Sequence, residues 1–200
     1  MEKPAETEHA VHELIQRRWS PRAFAARAIE PEKLRSVLEA ARWAASCFNE
    51  QPWSFIVAAR ETEGDAYVRL LSCLVEANAL WAGSAPVLMI SVARLDFKRN
   101  DKPNRHAFHD VGQAAAHLAL QATALGLAVH QMAGFDVAKA REQFNIPEGF
   151  EPVAAIAVGY PGDPEDLPED LRAKELGPRA RRPLAEFVFG GTWGEPSPLV

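Results

Sequence analysis

Between His106 and Gly126 the chain reads HAFHDVGQAAAHLALQATALG, and no other stretch restricts the fold so strongly. Val111, Ala114, Ala115, Leu118, Ala122 and Leu125 recur at helical spacing, with small residues on most of the remaining sides. A helix apolar nearly all round belongs in an interior or at an interface. A bilayer is not the answer, because the chain has no uncharged apolar run of about 18 residues.

The segments around this helix supply its cover. WSFIVAA (53–59) reads as a buried strand bounded by Pro52 and by charge, VLMISV (87–92) as a second opened by Pro86, and LAVHQM (127–132) and VAAIAV (153–158) as two more. Helical spacing appears over 8–18 through Val11, Leu14 and Ile15, and from Pro31 to about Ala45 through Leu34, Val37, Leu38 and Ala41. It appears again over 64–82 through Val68, Leu71, Val75 and Leu80, and over 137–144. Four or five strands interspersed with helices predict an α+β fold whose sheet is covered by helices on both faces. The 200 residues contain no repeat or linker, so a single domain over 1–200 is expected. From about residue 160 the chain is rich in Pro, Gly and charge, and an extended tail of this kind favours a homodimer in which it wraps the partner.

Several function classes lose their signatures. A net charge of −5 offers nucleic acid or an anionic membrane no general attraction. Cys47 and Cys73 form no CxxC, so neither a disulfide framework nor a zinc knuckle is suggested, and a reducing, cytoplasmic setting is expected. The opening MEKPAETEHAVHELIQRRW has early acids and no apolar core of an export signal. No GxxxxGK[ST], GxGxxG after a strand, GxSxG, HExxH or EF-hand loop occurs. His106 and His109 lie three apart at a helix start but lack a third ligand in register, so a solvated helix face is the favoured reading and no metal is expected.

The positive signals are two cationic clusters and one unusual loop. RRWSPRAF (17–24) sets Arg17, Arg18 and Arg22 around the hydroxyl of Ser20, and RARRP (179–183) brings Arg179, Arg181 and Arg182. Guanidinium forks and hydroxyls suit phosphate oxygens, although each cluster can equally be a solvated turn. In AASCFNEQPW (44–53), small residues precede Asn49 and Gln51, whose amides can meet the polar edge of a planar ring or simply cap the helix. A flat heterocycle with a phosphate tail would use both features.

In this order and spacing, RRWSPRAF, ASCFNEQPWSFIVA, HDVGQAAAHLALQATALGL, HQMAGFD and RARRP resemble the FMN-dependent nitroreductases over almost the whole chain. The resemblance implies an α+β fold with a central, mostly antiparallel sheet, and a homodimer with swapped C-terminal tails and FMN at its interface. It further implies hydride transfer from NAD(P)H, a transient co-substrate, to a nitroaromatic, quinone or similar acceptor by a ping-pong route. By position, Arg18, Ser20 and Arg22 match the motif that holds the phosphate, ribityl chain and N1/O2 side of the ring, with Trp19 contributing backbone. Arg179 and Arg181 match a basic pair that reaches the same phosphate. Ala45, Ser46, Cys47, Phe48 and Asn49, with Gln51 at the edge, match the loop packed on the ring from the other subunit. Met132, Ala133 and Gly134 match the turn near N5 and O4, and Asn78 an asparagine at the pyrimidine edge. Phe48, Phe108 and Trp81 are candidates to line the acceptor pocket, with the loop 94–106 shaping it. Departures are Ala45 where relatives often have proline, Ala133 where some carry glutamate, and Trp19 where many have serine. Two alternatives remain: a flavin-binding sensor without turnover, and another flavin reaction on the same fold, such as dehalogenation, enoyl reduction or flavin fragmentation.

Overall fold

The computed structural model describes residues 2–200. Four strands, β1 (Trp53–Ala59), β2 (Val87–Arg94), β3 (Ala128–Met132) and β4 (Phe150–Gly159), form one sheet in the order β1-β2-β4-β3, every pairing antiparallel. β2 is buried along almost its whole length, as a central strand covered on both faces must be. The ladder between β2 and β4 shifts register at Ser91/Val92, opposite Pro152. Proline has no N–H to donate, and a bulge is where a sheet interior accommodates it.

Each face of the sheet carries its own helical layer. On one lie α2 (Pro31–Arg42) and α5 (Ala107–Ala124), whose Val37, Ala41, Ala114, Leu118 and Ala122 pack on Met89, Val129, Ile156 and Val158. On the other, α3 (Gly64–Cys73), α4 (Glu76–Ala82) and α6 (Val137–Gln143) close over Leu88, Ile90, Ala155 and Ala157. α5 stops where Gly126 takes φ +74°, a left-handed C-cap conformation that costs glycine nothing. Within one chain α5 buries one side only; Phe108, Gly112, Ala116 and His117 face outward.

Other boundaries moved for identifiable reasons. The helix expected over 64–82 is two helices, because Leu74 and Val75 are extended: Leu74 bridges Phe135, and the Val75 N–H donates to the Gly134 carbonyl at 3.1 Å. The first helix is shorter than 8–18, only Glu13–Arg17 (α1), and the second ends at Arg42 rather than near Ala45. The tail contains α7 (Glu169–Leu176), which periodicity did not reveal because it buries only Leu171 and Glu175. From Leu184 onward, backbone hydrogen bonds close only within the tail, where Phe189 bridges Pro196.

Candidate functional site

The chain leaves α1 in an extended conformation, and the basic C-terminal segment returns beside it. The Arg179 guanidinium donates to the carbonyls of Lys3 (2.6 Å), Gln16 (2.8 Å) and Arg18 (2.9 Å). Three of its five N–H groups are thus spent on backbone, so Arg179 is first a clamp between tail and α1. Arg18 Nη1 donates to Ser20 Oγ at 3.3 Å, and Arg181 Nη1 to the Ala180 carbonyl at 2.7 Å. Among the described residues none of Arg18, Arg179 and Arg181 pairs with a carboxylate. Burial, and then the charges of Arg179 and Arg181, push the Arg18 guanidinium below its ordinary pKa. Three cations gathered without a counter-ion raise the free energy of the folded chain, and a bound phosphate would offset that cost through charge-assisted bonds.

Arg22 is placed by a residue the sequence did not single out. The carboxylate of Glu175, only 1% exposed, accepts from the Arg22 N–H (2.8 and 3.0 Å) and the Ala23 N–H (3.1 Å). The Arg22 Nη1 lies 3.8 Å from the same carboxylate, a loose ion pair, and its guanidinium makes no hydrogen bond among the described residues. Arg22 is therefore held by its backbone while its donors stay open.

His130 on β3 fixes the segment from the other side. Its Nδ1 meets the Pro21 carbonyl at 2.8 Å, which makes it the donor, and its ring lies 4.5 Å from that of Trp81. Trp81 itself is 3% exposed and belongs to the core behind His130, so it does not line an open pocket. Burial, with Arg22 and Arg18 nearby, holds the His130 imidazole below its ordinary pKa. The folded chain then resists a proton that the unfolded chain accepts near pH 6.5. This contribution to stability is present above about pH 6.5 and is lost as pH falls toward the lowered folded value. Thermal midpoints followed between about pH 7.5 and about pH 5 are expected to fall less steeply for His130→Gln than for the wild type.

β3 then delivers its turn. The Gly134 carbonyl accepts from Val75 N (3.1 Å) and Asn78 Nδ2 (3.0 Å), which ties Asn78, expected at the pyrimidine edge of a ring, to this turn. The N–H groups of Ala133 and Gly134 make no hydrogen bond among the described residues, and Ala133 is exposed. A Cβ on Gly134 would come within 2.6 Å of Asn78 Nδ2 and 2.9 Å of Val75 Cγ2. Gly134→Val is accordingly expected to cost about 1–3 kcal/mol, against under about 0.5 kcal/mol for Ala133→Val, as read from urea midpoints.

The loop between α2 and β1 is strained. Phe48 (φ 53°), Asn49 (φ 56°) and Gln51 (φ 49°) all adopt left-handed conformations unfavourable for L-residues. The surroundings over-determine them: Cys47 N–H donates to Asp110 Oδ2 (3.0 Å), Gln51 N–H to Ser46 Oγ (3.0 Å), and Gln51 Nε2 to the Asn49 carbonyl (3.1 Å). Asp110, 2% exposed at the start of α5, is the second anchor the sequence did not reveal. It supplies the rigidity that Ala45, exposed and without proline's constraint, does not. The outcome is a fixed loop that presents Phe48, 67% exposed, with the exposed Asn49 and Gln51.

This loop stands apart from the rest within one chain. It feeds β1 at one edge of the sheet, whereas the 132–134 turn follows β3 at the other edge, with β2 and β4 between, and Pro21 of the arginine segment meets His130 on β3. No hydrogen bond or ion pair joins them among the described residues. Those residues also contain no group of three or more His, Cys, Asp or Glu placed to hold a metal. None of the described helices is long and apolar enough to cross a membrane.

Comparison with known proteins adds a family. Residues 15–160 match the profile described as the Nitroreductase family. An uncharacterised 15.4 kDa protein of Mycolicibacterium smegmatis is 34% identical over 148 residues, 71% of this chain and 98% of that protein. A Xanthomonas oryzae protein provisionally named NADH dehydrogenase/NAD(P)H nitroreductase is 29% identical over 176 residues, 79% of this chain and 88% of its own. A crystal structure described as an oxidoreductase containing FMN superimposes with a TM-score of 0.89 at 36% identity, covering 95% of this chain and 96% of the other.

Proposed function

The chain belongs to the nitroreductase family, and from that premise we propose that it is an FMN-dependent oxidoreductase passing hydride from NAD(P)H to a small quinone or nitroaromatic by ping-pong turnover. The observation that carries the reading is the cationic cluster of Arg18, Arg179 and Arg181, gathered without a carboxylate and suited in charge and donor chemistry to the FMN phosphate. When bound, FMN supplies the hydride chemistry, and the chain supplies orientation and charge. Arg18, Ser20 and Arg181 take the phosphate while Arg179 holds α1 and the tail together. Trp19 contributes backbone to the same segment. Arg22, backbone-fixed by Glu175 and with open donors, offers a cation to the N1/O2 edge of the ring, where it favours negative charge. Met132, Ala133 and Gly134 bring the turn, and its open N–H groups, toward the N5/O4 edge, with Asn78 holding the Gly134 carbonyl.

The loop of Ala45, Ser46, Cys47, Phe48, Asn49 and Gln51 serves the site of a partner subunit. Its place at the sheet edge opposite to β3 supports a homodimer with shared sites, as does the outward side of α5. The tail supports the same assembly: Trp193 is 90% and Leu199 91% exposed, and apolar groups of that size are normally covered. Among the described residues the carboxylate beside the arginine segment is that of Glu175, which is occupied by the Arg22 and Ala23 N–H groups, and hydride delivery itself needs no dedicated acid. Steady-state oxidation of NADH and NADPH with a quinone and with a nitroaromatic tests the proposal. Parallel double-reciprocal lines are expected; a flavin-bearing protein with negligible NAD(P)H oxidation would instead be a flavin-binding or sensing protein.

A further inference from the structure

The segment 94–106 contains five cations, Arg94, Lys98, Arg99, Lys102 and Arg105, against two acids, Asp96 and Asp101, in a chain whose net charge is −5. This positive island is docked onto the strained 45–51 loop. The Glu50 carboxylate, its side chain 7% exposed, accepts from the Lys98 N–H at 2.7 Å and lies 3.9 Å from Arg99 Nε. The Arg99 guanidinium rests on the Phe48 ring at 3.7 Å, and Phe97 meets Phe48 edge-on at 6.0 Å. Stacking on Phe48, with a loose ion pair to Glu50, restricts the rotamers of Arg99 and lowers the side-chain entropy it would lose on binding something else. Its Nη atoms and the Lys98 Nζ make no hydrogen bond among the described residues. They border an open depression of about 500 Å³ lined by Asn49, Glu50, Gln51, Trp53, Lys98 and Arg99.

A cation stacked on an aromatic ring, beside an Asn49 side-chain amide that makes no hydrogen bond among the described residues, is arranged to receive a flat molecule with a charged end. We propose that substrates of this site are anionic aromatics, whose carboxylate or phosphate is held by Arg99 and Lys98 while the ring lies along Phe48. This rests on the reading that the 45–51 loop borders the flavin. The anion has two sources, a carboxylate on the acceptor or the phosphates of the nicotinamide cofactor. In either case Glu50 acts as a positioning residue: it accepts from the Lys98 N–H and so orients the segment that carries Arg99.

The test uses the flavin-loaded wild type, Arg99→Ala, Arg99→Lys and Glu50→Gln. In the acceptor arm, reoxidation is measured with para-nitrobenzoate and with the neutral para-nitrobenzamide. In the cofactor arm, flavin reduction is measured with NADPH and with N-benzyl-dihydronicotinamide, which has no phosphate. The wild type is expected to favour the anionic member of one pair by about tenfold or more in kcat/KM, the effect of one charge-assisted contact. Arg99→Ala should abolish that ratio, Arg99→Lys should keep much of it, and rising salt should shrink it. Glu50→Gln should lower it through KM. The arm in which the ratio collapses identifies the source. A wild type that turns over normally yet shows no charge preference in either arm, or a preference that Arg99→Ala leaves intact, overturns the inference alone. A protein without flavin or without NAD(P)H oxidation overturns the oxidoreductase reading and this inference with it.

Discussion

Arg18→Ala is expected to cost the protein its FMN without costing it its fold. Arg18 is half-buried among cations, with Ser20 Oγ the one hydrogen-bond partner of its guanidinium among the described residues, so burial and then the charges of Arg179 and Arg181 disfavour its charged form. Removing it relieves repulsion from Arg179 and Arg181, and the thermal midpoint of the apoprotein should stay level or rise. Its value lies in binding: a charge-assisted contact to phosphate contributes about 1.5–3 kcal/mol, so the FMN dissociation constant should rise by about tenfold to a hundredfold. Titration of apoprotein with FMN, alongside apoprotein melting, checks both halves. Unchanged affinity would remove Arg18 from the site, and a large fall in apoprotein stability would make its role structural.

Glu175→Ala should show the opposite signature. This carboxylate is buried, receives two backbone N–H groups and faces Arg22, and alanine would leave the donors of Arg22 and Ala23 without an acceptor. Removing one partner of such a buried set costs about 3 kcal/mol or more. Glu175→Gln, which keeps an acceptor oxygen but no charge, should lose about half as much. Urea midpoints of the apoproteins measure the difference, and losses below about 0.5 kcal/mol for both variants would show that Glu175 does not hold the segment. Because that segment carries Arg18, Ser20 and Arg22, FMN affinity should fall in step with stability here, whereas in Arg18→Ala the two part company.

The contrast between these residues explains what could be read from the sequence. Arg18, Arg179 and Arg181 drew notice as guanidinium clusters, and the structure brings the two clusters together; that they hold a phosphate, and that Asn78 meets a ring, is proposed. The strand WSFIVAA was read to its ends because proline and charge mark them. Glu175, Asp110 and His130 were not legible: their partners lie 153, 63 and 109 residues away, and no local pattern announces a carboxylate or imidazole that will be buried against a distant backbone. The break at Leu74 and Val75 was hidden for the same reason, since helical spacing runs through both and only the pairing with Gly134 and Phe135 pulls them straight. α5 was read correctly as a helix, although within one chain it buries one side only. The side left open in a single chain is where a second copy would supply cover.

The strain in the 45–51 loop sharpens its role. Three left-handed non-glycine residues, costing of order 1–3 kcal/mol each, persist in an exposed loop because Asp110, Ser46 and the docked 94–106 segment hold them. Phe48 and the Asn49 amide are thereby set in a fixed outward array, which suits the proposed packing on a planar ring.

The most direct test of the account is the visible absorption spectrum of the purified protein, recorded without oxygen before and after NADH or NADPH and again after a quinone. The account predicts a yellow protein whose flavin, released on denaturation as FMN at one per chain, bleaches with the nicotinamide and recovers with the quinone. A colourless protein that cannot be reconstituted with FMN would contradict it.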